Sequence, residues 1–203
     1  MPGNASLSLY SATKIYTPKS THLIVEKMES TEKILCFVAS GKWIITHSYL
    51  KRCLAEKRFV NEDDSHVSKR FKKSKLANVS LKWREMINEK KQNAPFFNWK
   101  VGLYLQDEEK AKALLRIIRA GSGQAMYFES SSSIKQSDKL TLLIYDRLTR
   151  DAVRTMAGIL NVPCYPFQAI PDYLMQCIIS DKPVLPISHY EELEGNMLQQ
   201  FDT

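Results

Sequence analysis

The chain has 203 residues, 44% of them hydrophobic, with 29 Lys and Arg against 22 Asp and Glu for a formal net charge of +7. This suits one large or two small folded domains, and the basic balance points to acidic or phosphate-bearing partners. No apolar run approaches the roughly 20 residues that span a bilayer, the start lacks a secretory leader's basic and apolar regions, and Cys36, Cys53, Cys164 and Cys177 have no CxxC or histidine partner, which argues against disulfides, metal ligands and secretion.

The first element is "THLIVEK", Thr21 to Lys27, a β-branched and apolar run suited to a strand buried on both faces. A helix is expected next, with Ser30 as its cap, Glu32 at its positive end, and Ile34, Leu35, Phe37 and Val38 as its apolar stripe. Gly41 stops it. The pair Gly41-Lys42 looks like the end of a phosphate-binding loop, but Cys36 and Trp43 stand where such a loop needs its first glycine and its magnesium-binding hydroxyl. Trp43 to Ile45 makes a second strand, and Thr46 to Lys57 a second helix with Tyr49, Leu50, Cys53 and Leu54 inward.

From about Asn61 to Leu81 no sustained period is visible, and the segment reads as a basic linker with a short helix near "LKWREMINEKKQ". Its run Lys69, Arg70, Lys72, Lys73 and Lys75 is a solvated linker, a nuclear-import signal or a nucleic-acid contact. Alternation then returns: strand Trp99 to Leu105, helix Asp107 to Arg119, strand "QAMYF", a serine loop, strand Thr141 to Asp146, a helix near Arg150 to Gly158, strand "VPCYPF", and a helix opened by Pro171 that continues through Cys177 and Ile178.

"STEKILCFVASGKWIITHSYLKRCLAEKRFV" resembles the second half of a BRCT domain: a helix ending at a Gly-rich corner, a short strand, and a last helix, here with Tyr49 where the family's typical tryptophan stands. Residues 96 to 185 resemble a more divergent second repeat. "THLIVEK", "EKILCFVASGKW", "KWREMINEKKQNAPFFNWKV" and "YPFQAIPDYLMQ" are together similar to a branch of the family with ankyrin repeats that localises a structural-maintenance-of-chromosomes repair complex. The resemblance implies an α/β tandem module, each repeat a small parallel sheet flanked by helices, arranged as repeat 1 (1–60), basic linker (61–95), repeat 2 (96–190) and tail (191–203). Repeat 1 is expected to lack its opening strand and helix, to be the more labile unit, and to accept Ala5 to Tyr10 as a replacement strand.

By the same resemblance, the module is a nuclear, non-catalytic reader of phosphopeptides in the DNA-damage response. Lys33 matches the family's phosphate-binding lysine, and Ser30 and Leu35 fall where the peptide groove is lined. Gly41, Trp43 and Tyr49 are structural core. The implied partners are a phosphorylated repair protein, specifically a ubiquitin ligase at stalled forks, and, through it, a chromosome-maintenance complex. Direct DNA binding through the basic linker is the alternative. No catalytic residue, cofactor motif or metal-ligand set emerges from the sequence.

Overall fold

The computed structural model describes residues 15–135 and 138–176. The expected replacement strand (5–10), Cys177, Ile178 and the tail (191–203) lie outside them.

β1 (His22–Val25) and β2 (Trp43–Thr46) pair in parallel, Leu23 opposite Ile44 and Ile24 opposite Ile45. Parallel neighbours need a crossover, and α1 (Glu32–Ala39) supplies it. Its cap is Thr31, extended at φ −92°, whose hydroxyl accepts from the Ile34 amide. Ser30, expected in that role, is exposed one residue earlier; of two adjacent hydroxyls only one reaches the first turn. At the other end Gly41 adopts φ +62°, its amide donates to the Val38 carbonyl, and the Lys42 amide donates to that of Phe37. A left-handed residue with this bond pair is what ends a helix cleanly.

α2 (Ser48–Glu56) follows β2. Tyr49 is buried against Ile45 and Val60, with Leu50 and Cys53 packed beside them, but Leu54 is 73% exposed instead of inward. It stands in the last turn, beyond that small cluster. Among the described residues the first sheet has two strands, and His66 reaches Ile45 through an antiparallel bridge.

Segment 61–95 is folded rather than a loose linker. It forms a 3₁₀ turn (Asp63–Ser65), α3 (Val67–Arg70), α4 (Lys75–Arg84) and one π turn (Glu85–Glu89). Capped by Ser74, α4 buries Leu76, Ala77, Val79, Ser80 and Trp83. The spacing is helical, but Ala77 and Ser80 carry so little apolar bulk that hydrophobicity alone conceals it.

The second sheet has β3 (Lys100–Tyr104), β4 (Gln124–Tyr127), β5 (Leu142–Tyr145) and β6 (Cys164–Pro166), all parallel in the order β4-β3-β5-β6. The intervening helices are α5 (Glu108–Ala120) and α6 (Arg150–Leu160), followed by α7 (Ala169–Gln176). Asp107 caps α5, and Glu108, Glu109 and Arg119 complement its dipole. α7 begins two residues before Pro171, which falls in the first turn, where its missing N–H breaks no bond.

One core runs through both halves. The six consecutive residues Ile34 to Ala39 of α1 are all buried, because the helix packs against α4, α5 and α7 as well as β2. A segment expected to be labile is thus enclosed by the linker and by the second repeat. The Trp83 indole N–H donates to the Leu174 carbonyl at 3.0 Å, and Phe96, Trp99 and Tyr173 form an aromatic cluster with centroids 4.7 to 5.7 Å apart.

Candidate functional site

The start of α1 brings together Thr31, Glu32 and Lys33. Thr31 is exposed and spends its hydroxyl on the Ile34 amide, whereas Glu32 and Lys33 are half-buried. The Glu32 carboxylate accepts two bonds from Arg116 of α5, from Nε at 2.5 Å and Nη2 at 2.8 Å. Such a bidentate pair fixes orientation as well as adding energy, and it raises the Arg116 pKa chiefly through the hydrogen bond to Glu32. Behind it Cys36 is fully buried; burial above all, then the Glu32 charge, pushes its thiol up to about 12. That thiol is inert.

Leu35 does not line a groove. It is 5% exposed and part of the core, because α1 is covered on the side where a free-standing helix would offer it to a peptide. Ser30 remains exposed beside the helix start.

The Gly-Lys-Trp corner is bolted to the linker. The Gly41 carbonyl accepts from Asn88 Nδ2 at 2.8 Å and Arg84 Nη1 at 3.2 Å, and the Arg84 guanidinium lies 3.4 Å from the Trp43 ring centroid. Burial lowers the Arg84 pKa first of all, with nearby carboxylates opposing. Trp43 is therefore half-buried under a cation rather than sealed in the core. The Lys42 ammonium donates to the Tyr16 hydroxyl at 3.0 Å and to the Pro18 carbonyl, tying the preceding segment down. Tyr49 is buried, its ring stacked on His22 at 5.9 Å and its hydroxyl donating to Glu62. Arg84 and Asn88 were missed by the sequence reading because they sit in the supposed linker.

A concavity of about 420 Å³ lies at the carboxyl ends of β3, β5 and β6, lined by Gln106, Asp107, Lys110, Asp146, Arg147, Leu148 and Phe167. The crevice falls where the chain order reverses between β3 and β5, the usual place for a ligand in an open parallel sheet. Lys110 and Arg147 bring cations to its lining, but the backbone amides there are engaged. The amides of Gln106, Leu148 and Thr149 donate to the Asp146 carboxylate at 2.7, 3.0 and 3.1 Å, so an incoming phosphate meets a fixed negative charge instead of open N–H groups.

Residues 93–184 match the family profile of the TopBP1/SLF1 BRCT domain. They are a BRCT domain. More of the chain, 77%, is homologous to SMC5-SMC6 complex localization factor protein 1, with 26% identity over 166 residues to the Mus musculus protein and 26% over 161 residues to the Homo sapiens protein. The chain spans about 15% of the length of these curated relatives. Among solved structures it is similar to the BRCT5-BRCT6 domains of S. pombe Brc1, at 15% identity and a TM-score of 0.49, covering 79% of this chain and 78% of that one.

Lys33 precedes the matched BRCT domain in sequence, yet Glu32 beside it grips the domain's α5 through Arg116. The basic residues Lys69, Arg70, Lys72, Lys73 and Lys75 are all exposed around the turn between α3 and α4. Among the described residues no group of three or more His, Cys, Asp or Glu side chains is placed to hold a metal ion.

Proposed function

We propose that the chain is a non-catalytic interaction module of the DNA-damage response, acting in the nucleus, that docks on a phosphorylated repair protein and so brings a chromosome-maintenance complex to damaged chromatin. The start of α1 carries the reading. The Thr31 cap exposes a helix terminus, and two residues on Lys33 adds a full positive charge to the partial charge of that terminus. A phosphoserine or phosphothreonine dianion gains charge-assisted hydrogen bonds from such a pair. The Arg116–Glu32 bond supports the reading by holding the first turn of α1 rigid, so the site is organised before its ligand arrives. The relatives' named role in localising the SMC5-SMC6 complex supports recruitment as the output, and the sequence resemblance is what favours a ubiquitin ligase as the phosphorylated partner.

A degenerate phosphopeptide library supplies the ligand for the test. Lys33→Glu should weaken binding of the selected peptide by at least about tenfold, since a hydrogen bond to a charged group contributes roughly 1.5–3 kcal/mol and its replacement repels. Lys73→Glu should leave it unchanged. Equal loss in both variants would reduce the site to diffuse basic attraction and defeat the assignment.

A further inference from the structure

We infer that the corner between α3 and α4 is a docking surface for the sugar-phosphate backbone of duplex DNA. From His66 to Arg84 the sequence contains no acidic residue, and the fold sorts that stretch by side. Val67, Ser68, Leu76, Ala77, Val79, Ser80 and Trp83 face inward, while Lys69, Arg70, Lys72, Lys73 and Lys75 are all exposed. Lys82 extends the same face along α4, seven residues or about 10 Å beyond Lys75.

Three observations separate this surface from an ordinary solvated run. First, among the described residues none of the five exposed cations shares an ion pair with a carboxylate, whereas Arg52, Arg58, Lys112 and Arg116 all do. The preceding 3₁₀ turn carries Asp63, which is exposed, and Asp64, which is engaged by Arg52. Second, the corner is rigid. The Phe71 amide donates to the Val67 carbonyl, that of Ser74 to Phe71, and Asn78 Nδ2 to the Lys72 carbonyl at 3.1 Å, while Arg70 lies over the Phe71 ring at 5.4 Å. Charges on a fixed frame lose little entropy on meeting a fixed array of phosphates. Third, none of the exposed large hydrophobics among the described residues (Ile15, Leu54, Phe59, Phe97, Met126, Leu148, Ile159) belongs to this segment, and its one aromatic at the turn, Phe71, is partly buried against the core. A protein hot spot is built on buried aromatic anchors, and a membrane-lying helix on inserted apolar side chains; a polyphosphate needs neither. The folded corner also disfavours the import-signal reading, since it offers no extended strand of basic residues.

The test is fluorescence anisotropy of the full chain with a labelled duplex of about 20 base pairs across a salt series. Five phosphate contacts predict that log K falls against log salt with a slope of about −4 to −5, at roughly 0.9 per contact. Lys69→Ala/Lys72→Ala/Lys73→Ala should reduce the slope by about 3 and the affinity by at least about tenfold at low salt, and the single exposed change Lys73→Glu should weaken binding in the same direction. Lys112→Ala, which removes a cation already paired with Glu108 and Glu109, should change neither. An unaltered slope in the triple variant, or tighter binding of anionic vesicles or of an import receptor than of the duplex, would overturn the inference. Phosphopeptide binding should survive the triple variant and DNA binding should survive Lys33→Glu, so this surface and the α1 site stand or fall separately.

Discussion

Replacing Trp43 with alanine tests whether the corner is architecture or binding surface. Full removal of a buried Trp or Phe costs about 3–5 kcal/mol, and a half-buried ring forfeits about half of that, roughly 2 kcal/mol. The Arg84 guanidinium, 3.4 Å above the ring, loses its aromatic face as well, a further contribution of about 1 kcal/mol. The sum, about 3 kcal/mol, is a large share of a marginal stability and should lower the melting temperature by about 6–12 °C for a chain of this length. Because one core crosses both repeats, differential scanning calorimetry should show one transition moving as a whole, not an early one splitting away. Trp43→Phe, which keeps a ring under Arg84, should recover most of the loss. An unchanged melting curve together with lost ligand binding would refute the reasoning and make Trp43 a contact residue.

Two further outcomes concern charge. Burial first, then the Arg84 cation, holds His66 down to about 4, against 6.5 for an ordinary histidine. The unfolded chain then takes up a proton that the folded chain refuses, so this stability is fully present above about pH 6.5 and is lost by about 3 kcal/mol as pH falls toward 4. Melting temperatures of His66→Asn, which keeps an acceptor for the Ser68 amide, should vary less steeply over that window; a slope as steep as the wild type's would remove His66 as the cause. For the Glu32–Arg116 pair, a double-mutant cycle to alanine should return a coupling of about 1–2 kcal/mol, above the range for an exposed pair, because both side chains are three-quarters or so covered and the contact is bidentate. A coupling near zero would mean that this ion pair contributes nothing to holding α1 against α5.

The strands and the long helices were legible because their patterns are local. "HLIV" and "WIIT" are short apolar runs, and Ala111, Leu114, Ile117 and Ile118 repeat at helical spacing. What local pattern does not carry is which neighbour arrives. Leu35 can be read as groove or core until the elements packed on α1 are known, and Trp43 reads as an interior anchor until Arg84, far along the chain, is found over its ring. The linker was the largest omission. Its helix hides behind alanine and serine at inward positions, and the dense positive charge on its outer face dominates composition. Lys33 is a proposal that rests on its place before the corner, while the choice of Thr31 over Ser30 as cap depends on a single backbone torsion.

The bond from Trp83 to the Leu174 carbonyl spans 91 positions, so it closes only after both segments have been synthesised. A ribosome delivers β1, α1 and β2 first, but the surfaces that cover α1 belong to α4, α5 and α7, the last of which ends at Gln176. Until that helix clears the exit tunnel, the apolar stripe of α1 has no complete cover and must be shielded by something other than its own chain. Nascent chains halted before α7 should therefore bind a holdase chaperone and be cut readily by protease. Chains released past it should shed both liabilities together, in one late step.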